Sequence, residues 1–169
     1  RRSSDLFSAV QIVEEIQNIM TMEARKHGLE FEIHRDIRDD RLVGDAVRLK
    51  QVLMNLISNA FKFTPAGGHV RLYVQQTGKT GQNAVYKFRV VDNGTGISEE
   101  NRQRIFEAFE QAGTSSARSQ GTGLGLAISR NIVQLMGGEL KLKSEPGQGS
   151  EFYFTIKIPV GDVEEEKIG

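Results

Sequence analysis

The sequence predicts an α+β fold: a two-layer sandwich in which about three helices cover one face of a mixed, mostly antiparallel sheet of about five strands. Three observations predict it. Apolar residues recur at helical spacing in three separate stretches. Between those stretches stand runs that alternate apolar and polar, "LEFEIHRD", "HVRLYVQQ" and "NAVYKFRVVD". The order is helix, strands, helix, strands, helices, hairpin, with no internal repeat.

Each element has a local reason. Val10, Val13, Ile16, Ile19 and Met20 give residues 9–28 a helical stripe, and Gly28 stops it. "LEFEIHRD" (29–36) follows as a half-buried strand, and "RLVGD" as a short strand and turn. Asp45 is placed to cap a helix that runs to about Phe63 and ends at "TPAGG". Its expected buried face is Leu49, Val52, Leu53, Leu56, Ala60 and Phe63. "HVRLYVQQ" and "NAVYKFRVVD" form two strands, with "TGKTGQ" as the hairpin loop. Ser98 opens an acid-started helix, "EENRQRIFEAF". "EQAGTSSARSQG" is small and polar, hence a loop. Thr122–Met136 is helical, with Leu124, Ile128, Ile132 and Leu135 on one face. "GGELKLKSE" and "GSEFYFTIKIP" close the chain as a strand pair around "PGQG".

Whole-chain properties narrow the function. The 169 residues suit one domain with a core of its own. No cysteine is present, which excludes disulfides and thiolate metal sites. Lys plus Arg equals Asp plus Glu at 22 each, and no basic stripe stands out, which argues against nucleic acid. No apolar run reaches membrane-spanning length, and the start lacks the apolar segment of a signal peptide. The chain reads as a piece of a longer protein.

Three short stretches carry chemistry. On the helix behind Asp45, Arg48, Gln51, Asn55, Asn59 and Lys62 line up at steps of three and four opposite the apolar face. Asparagine is a poor mid-helix residue, so two of them one turn apart point to a task. An amide oxygen is a hard ligand for magnesium, and a lysine is a point charge for phosphate. A solvated polar face is the equal alternative for this helix taken alone. Next, Asp92 ends a strand, where a carboxylate can accept from an exocyclic amine. Gly94 and Gly96 let the backbone approach a flat ring. Taken alone, that stretch reads better as a tight strand-to-helix turn. Last, "GTGLGLAIS" opens a helix with three glycines, an arrangement that offers free N–H groups to an anion. It matches neither the P-loop nor the dinucleotide fingerprint.

Taken together and in order, "NLISNAFKFT", "DNGTGI" and "GTGLGLAIS" closely resemble the N box and the two glycine boxes of the ATP-binding domain of sensor histidine kinases. "IFEAFEQ" resembles that family's phenylalanine box, and "GGELKLKSEPGQGSEFYFTIKIP" its closing hairpin. The resemblance covers about Asp5–Pro159 and is greatest to hybrid kinases, which carry a receiver domain downstream. It implies a Bergerat-type fold and these boundaries: a linker remnant at 1–4, the catalytic domain at 5–159, and an acidic, flexible linker at 160–169.

The resemblance also implies roles. Asp92 reads the adenine amine, and Gly94, Gly96 and Ile97 shape the adenine pocket. Gly121, Thr122, Gly123, Leu124, Gly125 and Leu126 hold the phosphates of ATP. Asn59 binds Mg2+ with support from Asn55, Lys62 meets the phosphates, and Phe63 flanks the base. Residues 113–120 would fold over the phosphates. Phe106 and Phe109 serve lid position and docking, or are plain core residues. Arg118 reads better as a solvated arginine, and Thr155 as a surface strand threonine at least as well as an adenine contact.

None of His27, His34 and His69 fits a phosphoacceptor motif, so the implied partner is a separate dimeric helical domain that carries the histidine. A downstream receiver domain is the second implied partner. The isolated chain would bind nucleotide as a monomer without phosphorylating itself. It would be the cytoplasmic part of a sensor whose parent sits at an inner membrane. Two alternatives share the fold. An ATPase of the topoisomerase or mismatch-repair type uses a glutamate where this chain has Asn55, and tends to be acidic where it has Lys62. A docking module would be expected to have lost at least one box, and all are intact.

Overall fold

Seven strands and three long helices are laid out in a computed structural model that describes residues 5–98, 100–104 and 121–161, with backbone alone for 121–124. In chain order they are β1 (Asp5–Ser8), α1 (Ala9–Lys26), β2 (Glu30–Asp36), β3 (Arg41–Gly44), α2 (Ala46–Phe63), β4 (His69–Thr80), β5 (Asn83–Asp92), α3 (Gly121–Leu135), β6 (Lys141–Glu145) and β7 (Gly149–Pro159). Residues 100–104 are also helical.

The main sheet has the order β2-β4-β5-β7-β6. Only β2 and β4 pair in parallel; the other three pairs are antiparallel. The expected class and strand number hold. The helices cover the face that carries Val70, Leu72, Val74, Tyr86, Phe88, Val90, Phe152, Phe154 and Ile156, all buried. These meet Ile16 and Met20 of α1 and Val52, Leu56 and Ile57 of α2 in one core. The other face is polar and aromatic. His34, Tyr73, Arg89 and Tyr153 stand in register across four strands. The His34 ring stacks on Tyr73 at 5.1 Å, and the Arg89 guanidinium lies 4.5 Å from the Tyr73 centroid. Such cross-strand pairs stabilise a sheet whose face meets water.

The helix starts follow from side-chain caps. Ser8 accepts from the Gln11 N–H, and Asp45 from the Arg48 N–H at 3.1 Å, as expected of Asp45. Asp40 reaches back to hold the Ser8 hydroxyl and the Val10 N–H, tying the β2–β3 loop to the head of α1.

The structure corrects the expected pattern in several places. Asp5–Ser8 is a strand, antiparallel to β3, which the sequence reading did not foresee. Four residues carry too little periodicity to announce a strand. "TGKT" of the expected hairpin loop belongs to β4, which runs through an irregularity at Gln76/Gly78 and leaves only residues 81 and 82 to turn. Gln76 is buried there. Its side-chain oxygen accepts from the Asp39 N–H at 2.8 Å, and its amide donates to the Asp39 carboxylate at 2.7 Å. On α1, Ile19 is exposed, and Ile12 and Ala24 are buried in its stead. On α2, Phe61 and Ile57 fill the core and Phe63 is only half-buried. On α3, Ile128 and Leu135 are exposed, at 38% and 76%, while Leu126, Ala127, Ser129 and Val133 are buried. Periodicity counts only hydrophobicity and so passes over small buried residues such as Ala127 and Ser129.

Phe154 is 1% exposed in the middle of β7 and stacks on Phe88 at 5.1 Å. Phe154→Ala is expected to cost about 3–5 kcal/mol of unfolding free energy. Urea titration checks this, with the midpoint falling and the slope unchanged.

Candidate functional site

The site forms where three chain segments meet at one end of the sheet. Asp92 is the last residue of β5, between Val70 of β4 and Ser150 of β7. It is 4% exposed. Its carboxylate accepts from the Gly94 N–H at 2.9 Å and from the backbone N–H of Ser150. Burial pushes its carboxyl above the ordinary range, against the pull of those two N–H groups toward the anion. An acid held this way has spare acceptor capacity in a dry setting.

The loop behind Asp92 is gripped from both sides. The Thr95 N–H donates to the Phe63 carbonyl at the end of α2, and the Gly147 N–H of the β6–β7 turn donates to the Thr95 carbonyl at 2.6 Å. These contacts explain the glycines. A Cβ on Gly94 would collide with the Phe63 carbonyl. Gly96 has φ 77°, and a Cβ there would strike the Glu145 carbonyl. Asn93 seals the outer edge, its Oδ1 accepting from the His69 N–H at 2.8 Å. Ile97 is buried at 3% exposure.

The α2 side chains differ in setting. Asn55 is half-buried and Lys62 exposed. Asn59 lies inside rather than on the solvated face, at 6% exposure, and its Nδ2 has no hydrogen-bond partner among the described residues. A buried amide atom without a partner is costly and points to a missing one. The structure thus brings together Phe63, Asp92, Gly94 and Gly96, with Asn55, Asn59 and Lys62 on the helix that Phe63 ends. α3 packs against α2, with Leu126 buried. A Cβ on Gly125 would meet nothing within 4 Å, so packing does not call for glycine there. The side chains at 121–124, and the whole of 105–120 with Phe106, Phe109 and Arg118, lie outside the described residues.

Thr155 is not part of this group. It is exposed on the open face of the sheet, paired with Lys87. Thr155 is thus the surface strand threonine that was one of its two expected readings, and the residue directly across from Asp92 is Ser150, 4% exposed. Its signal was its position next to Gly149, whose own Cβ would collide with the Asp92 carbonyl. A cleft of about 360 Å³ lies elsewhere, among Phe7, Leu49, Ile132 and Ile158. None of the three motifs lines it except through the start of α2 and the end of α3, so cavity size alone does not find the site.

A family model described as histidine kinase-, DNA gyrase B-, and HSP90-like ATPase matches residues 44–160. The chain belongs to this family. Among its relatives is the autoinducer 2 sensor kinase/phosphatase LuxQ of Vibrio vulnificus, 40% identical over 164 residues, or 95% of this chain and 19% of LuxQ. The fold is also that of full-length ShkA, solved in complex with AMPPNP, at TM-score 0.76 and 31% identity over 95% of this chain and 32% of ShkA. The catalytic domain of histidine kinase ThkA matches at TM-score 0.71 and 26% identity, covering 93% of this chain and 95% of that one. The chain spans about a fifth of the length of its sensor-kinase relatives. The family match spans α2, the Asp92 loop, α3 and the closing hairpin, the elements that build the site. No helix among the described residues is long and apolar enough to cross a membrane.

The Asp92 carboxyl has a measurable signature. Its folded pKa is raised, so its contribution to stability is fully present below the unfolded value of about 4 and is lost as pH rises through the folded value. Asp92→Asn cannot ionise. Its stability relative to the parent is therefore expected to climb as pH rises from about 4 and then level off once Asp92 is ionised in both states. Chemical denaturation of both proteins across this range checks the sign. A flat difference would mean that Asp92 titrates normally.

Proposed function

We propose that this domain binds Mg-ATP and delivers the γ-phosphoryl group to a histidine on a separate helical domain of the same parent protein, as a step in two-component signalling. The observation that carries the reading is Asp92: a buried carboxylate at the end of a central strand, flanked by glycines that packing requires. A donor in the plane of the carboxylate, such as the adenine amine, satisfies it. Gly94, Gly96 and Ile97 then form the walls against the ring, and Phe63, half-buried at the end of α2, flanks it.

The phosphate end rests on α2 and α3. Rotating the Asn59 amide presents its oxygen where the partnerless nitrogen now stands, and a hard oxygen suits Mg2+. Among the described residues no group of three or more His, Cys, Asp or Glu could hold a metal. That fits an ion taken by one amide together with phosphates and water, which is how magnesium is commonly held. Bound there, the ion would offset phosphate charge. Asn55 supports Asn59 from the preceding turn, and Lys62 adds a positive charge at the mouth. The backbone N–H groups at the start of α3 (Gly121, Thr122, Gly123, Leu124, Gly125, Leu126) receive the phosphates. Glycine costs a helix about 1 kcal/mol relative to alanine. At Gly125, where a side chain would meet open space, close approach of a ligand is the reason that remains.

The chemistry is then positioning and electrostatics. The domain holds the nucleotide and leaves the nucleophile to its partner. The domain bounds 5–159, a downstream receiver and a membrane-bound parent belong to the same proposal. Kinship to LuxQ, a sensor kinase/phosphatase, and to ShkA, solved with AMPPNP, supports it.

Calorimetric titration with ATP, with and without magnesium, is the test. The parent chain is expected to bind. Asp92→Ala should weaken binding by about 10–100-fold, the worth of a buried hydrogen bond to a charged group. Asn59→Ala should lose mainly the dependence on magnesium. No phosphohistidine should form on the chain alone. A well-folded parent that binds no nucleotide would leave a docking module as the reading.

A further inference from the structure

Ser144 lies on β6, outside all three motifs, and is only half-buried. Its hydroxyl is nonetheless a junction. The Ile97 N–H, from the loop behind Asp92, donates to Ser144 Oγ at 2.7 Å. The Ser144 hydroxyl donates to the Gly149 carbonyl at 3.3 Å and lies 3.1 Å from Ser150 Oγ. One proton and two lone pairs satisfy all three contacts when Ser150 donates into Ser144.

Those partners are the two walls around Asp92. The Gly94 N–H reaches the Asp92 carboxylate from the loop, and the Ser150 N–H reaches it from the hairpin. Ser144 is the side chain that ties loop to hairpin. Ile97 is 3% exposed, so water has little access to replace the bond if the hydroxyl is lost. Gly96, one residue earlier, already sits with positive φ against the Glu145 carbonyl. The loop is thus seated directly on the hairpin, by this hydroxyl and by the backbone bond from Gly147 to Thr95, and the position of the Asp92 carboxylate depends on that seating.

We propose that Ser144 is a positioning residue for nucleotide binding. Its hydroxyl fixes the seating of the Asp92 loop on the β6–β7 hairpin, and so presents the Asp92 carboxylate to the base. The inference rests on the nucleotide-binding reading above.

The test measures ATP and ADP affinity, with magnesium, for the parent, Ser144→Ala, Ser144→Thr and Ile16→Val. Ile16 is fully buried on α1, so its variant controls for lost stability alone. Ser144→Ala is expected to weaken both nucleotides by about tenfold, the worth of one buried hydrogen bond, because the loss is at the base end that they share. Its magnesium dependence should match the parent's. Ser144→Thr keeps the hydroxyl and should restore affinity, and Ile16→Val should lower the melting temperature with affinity unchanged. If the parent binds and Ser144→Ala binds equally well, the inference is overturned and the nucleotide reading stands. An equal loss in Ile16→Val would reduce Ser144 to general stability and overturn it too. A parent that binds neither nucleotide removes both.

Discussion

The site depends on one constraint: the loop behind Asp92 is clamped between the end of a helix and the turn of a hairpin. Thr95 makes both contacts through its backbone, to Phe63 on one side and Gly147 on the other. Backbone-to-backbone clamps leave no room for side chains, so glycine becomes obligatory at Gly94 and Gly96. The same clamp sets the helix end. Thr64 turns its hydroxyl onto the Ala60 carbonyl at 2.8 Å and closes α2 at the position where its last carbonyls meet the loop. Asn55 and Asn59 lie on the helix whose end this clamp fixes. Local bonds of modest worth thus fix a geometry that spans three elements.

The rest of the fold secures this corner from a distance. Asp92 ends the central strand β5, flanked by strands on both sides, so its Cα has little freedom. At the other end of the sheet Gln76 and Tyr86 staple the β2–β3 loop. Tyr86 donates to the Asp39 carbonyl at 2.7 Å, and burial pushes its hydroxyl far above the ordinary range, so it stays a neutral donor. Asp39 is held below the ordinary carboxylate range, first by Gln76 and then by Lys79. The two acids thus shift in opposite directions. Asp39 has donors and water and stays charged, while Asp92 is dry and faces only two N–H groups. A carboxylate that gains from a further donor is the one suited to a ligand.

Much of this was legible in the sequence, for identifiable reasons. Strict alternation in β5 and β7 placed Val90 and Phe154 inward, and Asp45 announced the start of α2 through its cap. The first two motifs meet because the end of α2 and the end of β5 come together, Thr95 on the Phe63 carbonyl. What escaped was whatever depends on size or on backbone contact. Periodicity ranked Ile128 and Leu135 above Ala127 and Ser129 on α3, though the small pair is buried. It put Asn59 on a polar stripe, whereas the fold buries it. Ser150 and Ser144 escaped because a serine in a strand has no pattern of its own. Their meaning comes from what stands across the ladder, and register is not written in any one segment.

The nature of residue 55 decides between transfer and hydrolysis once nucleotide binding is granted. Hydrolysis needs a base to prepare water near the γ-phosphate. The family's ATPases supply a glutamate one turn before the magnesium asparagine, and this chain has Asn55 there, whose amide takes up no proton near neutral pH. The one dry carboxylate among the described site residues, Asp92, lies at the base end. Its place there, beside Gly94 and Ser150, keeps it from serving as that base. On the proposed reading, a domain built this way would hold ATP without spending it on water, and Asn55 would leave the nucleotide intact for a partner histidine rather than stand as a weak copy of a catalytic glutamate.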